Sequence, residues 1–302
     1  MAKPVLVLMA AGMGSRYGGL KQLQPMDDQG HLLIDFSVYD ALKAGFEDVV
    51  FIIKPEMQQD FDATIGSRMP DRLNVHIAYQ DMARLPQGIQ LPPERTKPLG
   101  TTHAILCAGD AIAGRPFAAV NADDYYGPRA FELLYDFLSA PGPADEHFMV
   151  SYPLGNTLSP TGPVSRGVCT MENGFLRHIV ERKKISMCNG GGKFEENGAD
   201  IFLPADTLVS MNCWGFRPAI MPLLDEEFAA SVRQGLAENP EKFEDILPTA
   251  IQLLMAQGRI SVRAETSYDR WFGVTYREDK PAVTAEIAAL KEQGVYPTRL
   301  WR

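Results

Sequence analysis

The sequence predicts an α/β protein with a mostly parallel, mixed sheet that helices cover on both faces. Up to about residue 145, strand-like apolar runs alternate with segments of helical spacing. The first run, Val5–Met9, is continuously apolar and ends in a glycine-rich stretch, as buried parallel strands usually do. Beyond residue 145 the chain becomes richer in strands. Because alternating strands and helices build a parallel sheet with helices on both sides, the first half fixes this expectation.

Eight segments carry the alternation in the first half. The strands are apolar or alternating runs, and the helices place apolar residues three and four positions apart. Gly45 ends the first helix, Pro128 opens the last, and four prolines make residues 84–98 a loop. The predicted strands are Val5–Met9, Asp48–Ile53, Asn74–Tyr79 and Phe117–Val120, and the predicted helices are Asp35–Ala44, Glu56–Ile65, Thr101–Ala113 and Arg129–Leu138.

The second half is predicted to mix strands with fewer helices. Four glycines and several charges make Cys188–Gly198 a loop in this prediction. The predicted strands are Phe148–Tyr152, Gly167–Met171, Phe175–Val180, Thr207–Phe216 and Ile260–Ala264, and the predicted helices are Pro218–Leu236, Glu241–Gln257 and Pro281–Gln293. We expect residues 1–302 to form one domain with two halves, 1–145 and 146–302.

The acidic composition excludes one class of partner. The 302 residues contain 29 Lys and Arg against 38 Asp and Glu, a formal net charge of −9. A dedicated nucleic-acid binder needs a basic surface that displaces counterions from phosphates, so we expect no nucleic-acid polymer as a partner. Hydrophobic residues at 45% and charged residues at 22% are typical of a globular chain and exclude wholesale disorder.

The cellular location is predicted from what the sequence lacks. No window contains 18 consecutive apolar residues, so we expect no membrane span. The first apolar stretch breaks into glycines without a signal-type cleavage region, which favours a cytoplasmic protein. The cysteines contain no CxxC pair and are predicted to be reduced and structural. They are Cys107, Cys169, Cys188 and Cys213.

The loop after the first strand carries the strongest chemical signal. Small residues there allow backbone N–H groups to approach a phosphate chain closely. Arg16 would grip phosphate oxygens as a fork, and Lys21 would add a mobile charge. The loop does not match the dinucleotide pattern GxGxxG, because Tyr17 stands where the third glycine belongs, and it does not match Walker A. A purely structural glycine loop remains the alternative, although it does not explain the two cations.

The segment AAGMGSR, followed by a lysine, resembles the signature loop GxG[TS]R…K of the sugar-phosphate nucleotidylyltransferases. The resemblance implies that Arg16 and Lys21 are catalytic, binding the triphosphate and stabilising charge at the α-phosphate. It implies a Rossmann-like nucleotidyltransferase fold in which 1–145 binds nucleotide and 146–302 binds the acceptor. The short spacing between Arg16 and Lys21 is similar to that of the molybdenum-cofactor guanylyltransferase branch. The residues implied to contact the nucleotide in this loop are Ala10, Ala11, Gly12, Gly14 and Ser15.

Two further blocks fall in the order of the family. The segment LGTTHA, at 99–104, resembles [LQ]GTxxA, which implies that Gly100 and Thr101 contact the base. A plain helix start capped by a threonine is the alternative. The segment VNADD, at 120–124, resembles the strand-end "GD", which implies that Asp123 holds a catalytic Mg²⁺. The position fits, since α/β folds place ligand-binding groups after the carboxyl ends of strands, but an Asp pair capping the next helix is possible.

The acceptor side rests on weaker blocks. The segment IVERK resembles "VEQK/EKP", which implies that Glu181 binds sugar hydroxyls and Lys183 binds the sugar phosphate, although a solvated strand edge would have the same composition. The segment SRGV is similar to "YGV", with Gly167 next to the sugar, and Asn212 is the polar candidate on a later strand. The chain departs from the family where many members carry a second metal aspartate, in a WxDxG-like segment. Trp271–Thr275 has no acid there, so Asp269, Asn212 or water would complete the metal shell.

Together these blocks imply an enzyme. It would transfer a nucleotidyl group from an NTP to a sugar 1-phosphate and release pyrophosphate, by in-line attack assisted by Mg²⁺. LGT at 99–101 favours UTP or dTTP. Two alternatives remain open: transfer to a non-sugar acceptor such as phosphocholine or a cofactor precursor, and a non-catalytic nucleotide-sensing module. A sensor has no need of the metal carboxylate, which counts against the last.

Overall fold

The computed structural model describes residues 2–12, 24–273 and 279–301. Within these ranges the chain forms thirteen strands and eight α-helices. The strands are β1 (Val5–Met9), β2 (Asp48–Ile53), β3 (Asn74–Tyr79), β4 (Phe117–Asn121), β5 (Asp124–Tyr125), β6 (Glu146–Pro153), β7 (Val164–Glu172), β8 (Phe175–Cys188), β9 (Gly191–Glu196), β10 (Ala199–Pro204), β11 (Leu208–Phe216), β12 (Ser261–Thr266) and β13 (Phe272–Gly273). The helices are α1 (Leu33–Ala44), α2 (Gln58–Thr64), α3 (Thr101–Cys107), α4 (Gly109–Ile112), α5 (Pro128–Ser139), α6 (Ile220–Glu238), α7 (Leu247–Ala256) and α8 (Asp279–Glu292).

Eleven of these strands form one mixed sheet. Its order is β10-β9-β8-β12-β6-β11-β4-β1-β2-β3, with β7 pairing both β11 and β8. Strands β3, β2, β1 and β4 run parallel, as the alternation predicted, and β12 runs parallel to β6. Strand β11 runs antiparallel to β4 and joins the second half of the chain to the first. The α/β class is confirmed, with the parallel pairing concentrated in the first half.

Helices cover both faces of the sheet, as predicted. Every residue of β1 is buried, because its side chains alternate between two apolar clusters. Leu6 and Leu8 pack with residues of α1 and α5 on one face. Val5 and Val7 pack with residues of α3, α6 and α7 on the other. Burial on both faces is the physical reason that β1 is a continuous apolar run rather than an alternating one.

The predicted loop at Cys188–Gly198 is wrong, because these residues form most of a β-hairpin. Strands β8, β9 and β10 pair antiparallel in sequence. Two of the glycines occupy β9 itself: a Cβ on Gly191 would collide with the carbonyl of Leu203, and one on Gly192 would lie 2.7 Å from Ile185. Glycine in a strand can mark such a close approach rather than a loop.

Several helix boundaries also differ from the prediction. The segment predicted as one helix from 101 to 113 breaks at Ala108 into α3 and α4. Residues 241–246 are not helical, so α7 begins only at Leu247, with a proline at its second position. Helices α1, α5, α6 and α8 match their predicted positions within a few residues.

Two predictions about environment can be compared with the structure. Among the described residues, no helix combines the length and apolar character needed to cross a bilayer. All four cysteines, which fall in the described ranges, are free thiols, and three of them are buried.

Candidate active site

The candidate site lies where β1 and β4 end side by side. Met9 and Asn121 are paired in the parallel register, and the N–H of Ala122 donates to the carbonyl of Met9 over 3.2 Å. The chain therefore leaves both strands at one edge of the sheet, so residues 10–12 and Asp123 follow neighbouring strand ends. Four of the predicted site residues in this loop, which are Gly14, Ser15, Arg16 and Lys21, lie outside the described residues.

Two adjacent carboxylates follow β4, and their environments differ. Asp123 is half-buried, whereas Asp124 is 9% exposed. Oδ2 of Asp124 accepts a hydrogen bond from Asn121 Nδ2 at 2.8 Å. Burial, reinforced by the charge of Asp123, raises the pKa of Asp124 to about 8. Two carboxyl groups thus lie together in a poorly hydrated place, which disfavours the ionisation of both at once.

Neither carboxylate caps the following helix, which was the structural alternative for this pair. The N-cap of α5 is Gly127, and the N–H of Arg129 donates to Oδ2 of Asp269 at 2.9 Å. Asp269, one candidate for the second metal ligand, is therefore engaged at the start of α5.

The carboxylate pair fits a magnesium ion in chemistry. Mg²⁺ takes hard oxygen ligands and commonly uses one or two carboxylates plus substrate phosphates. Residues 2–12, 24–273 and 279–301 contain no cluster of three or more His, Cys, Asp or Glu that could hold a metal. Asp123 and Asp124 would therefore hold an ion together with substrate oxygens rather than in a closed protein cage.

Gly273 lies directly against Asp124, since the two residues pair across β5 and β13. A Cβ on Gly273 would lie 2.7 Å from Oδ1 of Asp124. Gly273 stands where the WxDxG-like segment of the family carries its aspartate. A side chain at this position would therefore collide with the Asp124 carboxylate.

The predicted base-binding segment is pinned from two sides. Gly100 has a φ of +99°, and a Cβ there would collide with the carbonyl of Asp245. The carbonyl of Gly100 accepts from Gln80 Nε2 at 2.9 Å. Thr101 does not cap α3; its hydroxyl accepts from the N–H of Leu247 at 2.8 Å. The segment is held by the start of α7, which leaves the threonine-cap alternative without support.

Arg95 was missed by the sequence reasoning, although it organises this region. It is 8% exposed and donates to the carbonyls of Lys97, Pro98, Pro240 and Phe243. A guanidinium that satisfies four carbonyls fixes the proline-rich loop against the segment before α7. The sequence signal was only its position inside a loop with several prolines.

The predicted acceptor residues fall on three neighbouring strands. Gly167 on β7 pairs with Glu181 on β8 and with Ser210 on β11. Glu181 is exposed, and its pKa is raised mainly by partial desolvation, against the influence of Arg166 and Lys183. The strands thus bring Gly167, Glu181 and Lys183 together on one part of the sheet. The space that a Gly167 side chain would enter is filled by Ile179, whose Cδ1 lies 2.9 Å away.

Arg166 is a second functional candidate that the sequence reasoning passed over. It is 7% exposed, and its guanidinium lies 4.6 Å from the ring centroid of Trp271. It donates to the hydroxyl and the carbonyl of Thr157. Burial lowers the pKa of its guanidinium to about 10, and the negative charges of Asp124 and Glu181 offset part of this effect. The sequence carried no clear signal for it, because β7 also contains Ser165, Thr170 and Glu172.

Asn212 lies opposite Asn121 rather than open to the sheet surface. Its Nδ2 donates to Oδ1 of Asn121 at 2.8 Å, and its Oδ1 accepts from Trp214 Nε1 at 2.9 Å. The amide predicted to bind the acceptor therefore has partners of its own on both sides.

With this geometry, the chain can be compared with known proteins. A UDP-glucose pyrophosphorylase from Acinetobacter baumannii superposes with a TM-score of 0.58 at 17% identity, covering 97% of this chain and 99% of that one. A UTP-bound UGPase from the same organism gives a TM-score of 0.60 at 17% identity, covering 98% and 95%. A UDP-glucose pyrophosphorylase complexed with UDP-glucose gives 0.59 at 16% identity, covering 95% and 99%.

The chain has the fold of the sugar-phosphate nucleotidylyltransferases. Its sequence agrees with that assignment. It is 29% identical over 219 residues to the bifunctional protein GlmU of Hyphomonas neptunium, which is 69% of this chain and 41% of that protein. It is 29% identical over 129 residues to the UTP–glucose-1-phosphate uridylyltransferase YngB of Bacillus subtilis, covering 39% and 42%. The resemblance to this family is confirmed, while the chain spans less than half the length of these curated relatives, and no family model matches it.

Proposed function

We propose that the protein is a sugar-phosphate nucleotidylyltransferase that transfers a nucleotidyl group from an NTP to a sugar 1-phosphate and releases pyrophosphate. The observation that carries the proposal is the meeting of Ala10–Gly12 and the Asp123–Asp124 pair at one edge of the sheet. Glycine-rich strand ends bind phosphates, and paired carboxylates bind a divalent cation. A fold shared with a UTP-bound enzyme supports the same reading.

In this proposal, an oxygen of the sugar phosphate attacks the α-phosphorus of the NTP in line. The bond from the α-phosphorus to the bridging oxygen breaks, and pyrophosphate carries the electron pair away. Arg16 and Lys21 bind the triphosphate and stabilise its developing charge, while Gly100 and Thr101 contact the base. Preorganised charges of this kind supply most of the rate enhancement when no covalent intermediate is needed.

Mg²⁺ is the proposed cofactor, and Asp123 with Asp124 would hold it. Bound there, it would supply charge neutralisation at the reacting phosphates. The acceptor would lie over β7 and β8, where Glu181 would receive sugar hydroxyls and Lys183 would meet the sugar phosphate. The buried cation Arg166 interacts electrostatically with both Asp124 and Glu181, so it would limit the mutual repulsion of these acidic groups and the incoming phosphate.

The nucleotide is proposed to be UTP or dTTP. The LGT segment favours them, and two of the similar proteins are named for UTP. We further propose that both halves act as one domain, which the shared sheet supports, and that the protein is cytoplasmic, which its free thiols support.

Pyrophosphate release tests the proposal. Purified protein is incubated with Mg²⁺, each NTP in turn and a panel of sugar 1-phosphates, with phosphocholine as a non-sugar acceptor. We expect release with UTP or dTTP only when a sugar 1-phosphate is present. Release of pyrophosphate with phosphocholine but with no sugar 1-phosphate would show that the acceptor belongs to another chemical class. Tight NTP binding without release from any acceptor would indicate a sensor.

A further inference from the structure

A chain of polar side chains runs from the core of β11 to the site carboxylates. Trp214 Nε1 donates to Asn212 Oδ1 at 2.9 Å, Asn212 Nδ2 donates to Asn121 Oδ1 at 2.8 Å, and Asn121 Nδ2 donates to Asp124 Oδ2 at 2.8 Å. We refer to these four side chains as the relay. They belong to β11, to β4, which pairs with it, and to β5, which follows β4 in the chain.

The direction of the relay is fixed by its first member. An indole N–H can only donate, so the oxygen of the Asn212 amide must face Trp214 and its nitrogen must face Asn121. The oxygen of Asn121 must then accept, which turns its nitrogen towards Asp124. Each amide therefore has one allowed orientation, and the last position must be an acceptor. A carboxylate meets that demand.

The backbone is specialised for this arrangement. Asn212 has a φ of +62°, in the left-handed region, and the register between β11 and β6 shifts between Ser210 and Trp214. Non-glycine residues persist in this region only when their surroundings determine it, and asparagine tolerates it best. Residue 212 lies within this irregular stretch, and its side chain meets Asn121 of β4, the strand on the other side of β11.

A tyrosine fixes the same turn from a second direction. The hydroxyl of Tyr126, which is fully buried, accepts from the N–H of Asn121 at 3.0 Å. Its proton faces the carbonyl of Met211 at 3.0 Å and Oδ2 of Asp124 at 3.3 Å. The segment that carries Asp123 is therefore held at both ends by hydrogen bonds to Asn121, Asp124 and Tyr126.

We propose that Trp214, Asn212 and Asn121 are positioning residues, which orient the Asp124 carboxylate and with it the turn that carries Asp123. This inference rests on the proposed function, since it assigns the relay a role in the same site. Groups that orient metal-binding side chains from behind commonly contribute 10- to 100-fold to metal affinity or activity. Of the predicted site residues, Asn212 would then act through Asn121 rather than on the acceptor.

The indole N–H signals provide a test that does not depend on activity. The chain has three tryptophans, and in its described part the N–H groups of Trp271 and Trp301 are buried without a partner, whereas that of Trp214 is hydrogen-bonded. A ¹H–¹⁵N spectrum of the full chain should show three indole signals, and Trp214→Phe assigns one of them. We expect that signal to move in Asn121→Asp, because this variant places two carboxylates next to each other. In the double variant Asn121→Asp/Asp124→Asn, a donor and an acceptor again face each other, so the signal should return towards its wild-type position.

Kinetics then separate positioning from mere packing. Asn212→Asp keeps the size of the side chain and its acceptor for Trp214 but loses the donor to Asn121. We expect kcat and the apparent affinity for Mg²⁺ to fall about 10- to 100-fold, with the KM for NTP nearly unchanged. The matched control is Asn239→Asp, which makes the same change at an exposed residue whose Oδ1 only accepts.

Two results would overturn the relay. One is a Trp214 indole signal that ignores both Asn121 variants, since the side chains would then not be linked. The other is a folded Asn212→Asp protein with wild-type kcat and Mg²⁺ dependence. If wild-type protein releases no pyrophosphate from any NTP and sugar 1-phosphate, the proposed function fails, while the spectra still decide whether the relay exists.

Discussion

At the scale of single residues, Asp124 carries an electrostatic cost that the rest of the site must explain. Its carboxyl is almost fully buried beside Asp123, and these two causes raise its pKa to about 8. A lone buried carboxylate would be neutralised by protonation, but Asn121 and Arg166 favour the charged form. The charged form of a carboxyl in this place destabilises the folded protein, which a purely structural role would not explain. A bound cation would offset this destabilisation.

The stability of the protein should therefore depend on pH through Asp124. The folded-state pKa lies above the value near 4 of an unfolded aspartate, so the stability linked to this carboxyl is fully present below about pH 4 and is lost as the pH rises to about 8. Asp124→Asn retains the acceptor for Asn121 without the charge. We expect it to raise the melting temperature by at least about 2 °C at pH 8 in EDTA.

The gain should shrink at pH 5 and when Mg²⁺ is added to the wild-type protein. Thermal melts of both proteins at the two pH values measure it, and Asp206→Asn, at an exposed position, is the control. A variant less stable than wild type at pH 8 in EDTA would contradict the electrostatic account.

Asp123 and Lys21 are expected to be essential for turnover. Removing one preorganised charge commonly costs about 100- to 1,000-fold in rate. Asp123→Ala and Lys21→Ala should each lower kcat at least about 100-fold. The circular dichroism spectrum and the melting temperature should stay close to those of the wild-type protein. Near-wild-type turnover in both variants would show that Asp123 and Lys21 are not part of the active site.

At the scale of elements, the start of α3 is defined by a glycine rather than by a side-chain cap. Gly100 combines a positive φ with close packing on the carbonyl of Asp245, whereas Gly114 has a φ of +67° and open space around it. Gly100→Ala should therefore lower the free energy of unfolding by more than the approximately 1–2 kcal/mol expected for Gly114→Ala.

Because Gly100 is proposed to contact the base, its variant should also raise the KM for NTP, and Gly114→Ala should not. Urea unfolding and initial-rate kinetics on both variants make the comparison. Equal losses of stability would show that packing against Asp245 contributes nothing.

The region from β8 to β10 forms paired strands where the sequence predicted a loop. Glycines and charges between 188 and 198 are typical of a loop. In the structure Gly191 and Gly192 belong to β9, where they admit the chain of β10 and the side chain of Ile185. Their meaning depends on atoms that are distant in sequence, so local pattern alone could not have decided it.

At the scale of the whole molecule, the C-terminal segment returns to the site end of the sheet. Tyr296 donates to Asp40 at 2.6 Å and lies 2.8 Å from the hydroxyl of Tyr125, the residue after Asp124. Val283 and Ile287 of α8 join the same apolar cluster. The end of the chain thereby supports the strand that follows the carboxylate pair.

Tyr296→Phe should destabilise the whole fold. It leaves the buried Asp40 carboxyl, whose pKa burial already raises well above its usual range, without its tyrosine donor. We expect a loss of about 1–3 kcal/mol in the free energy of unfolding by urea. The control is Tyr268→Phe, because that side chain is 78% exposed and its hydroxyl should contribute little.

The sequence by itself determined the α/β class, the order of β1 to β4 and the strand ends at which the site is proposed. Buried parallel strands and glycine-rich strand ends leave local patterns that can be read directly, as Val5–Met9 and the following loop do. It also determined that two carboxylates follow β4. Each of these features depends on residues adjacent in the chain.

Only the tertiary structure decided which side chains meet. Asn212 lies opposite Asn121, 91 residues earlier, because β11 runs antiparallel to β4, and Gly273 pairs with Asp124 through β13. The pairing of β7 with β8 brings Arg166 close to Glu181, and Arg166 also interacts electrostatically with Asp124. Pairing between distant strands depends on the whole sheet, and no local periodicity encodes it.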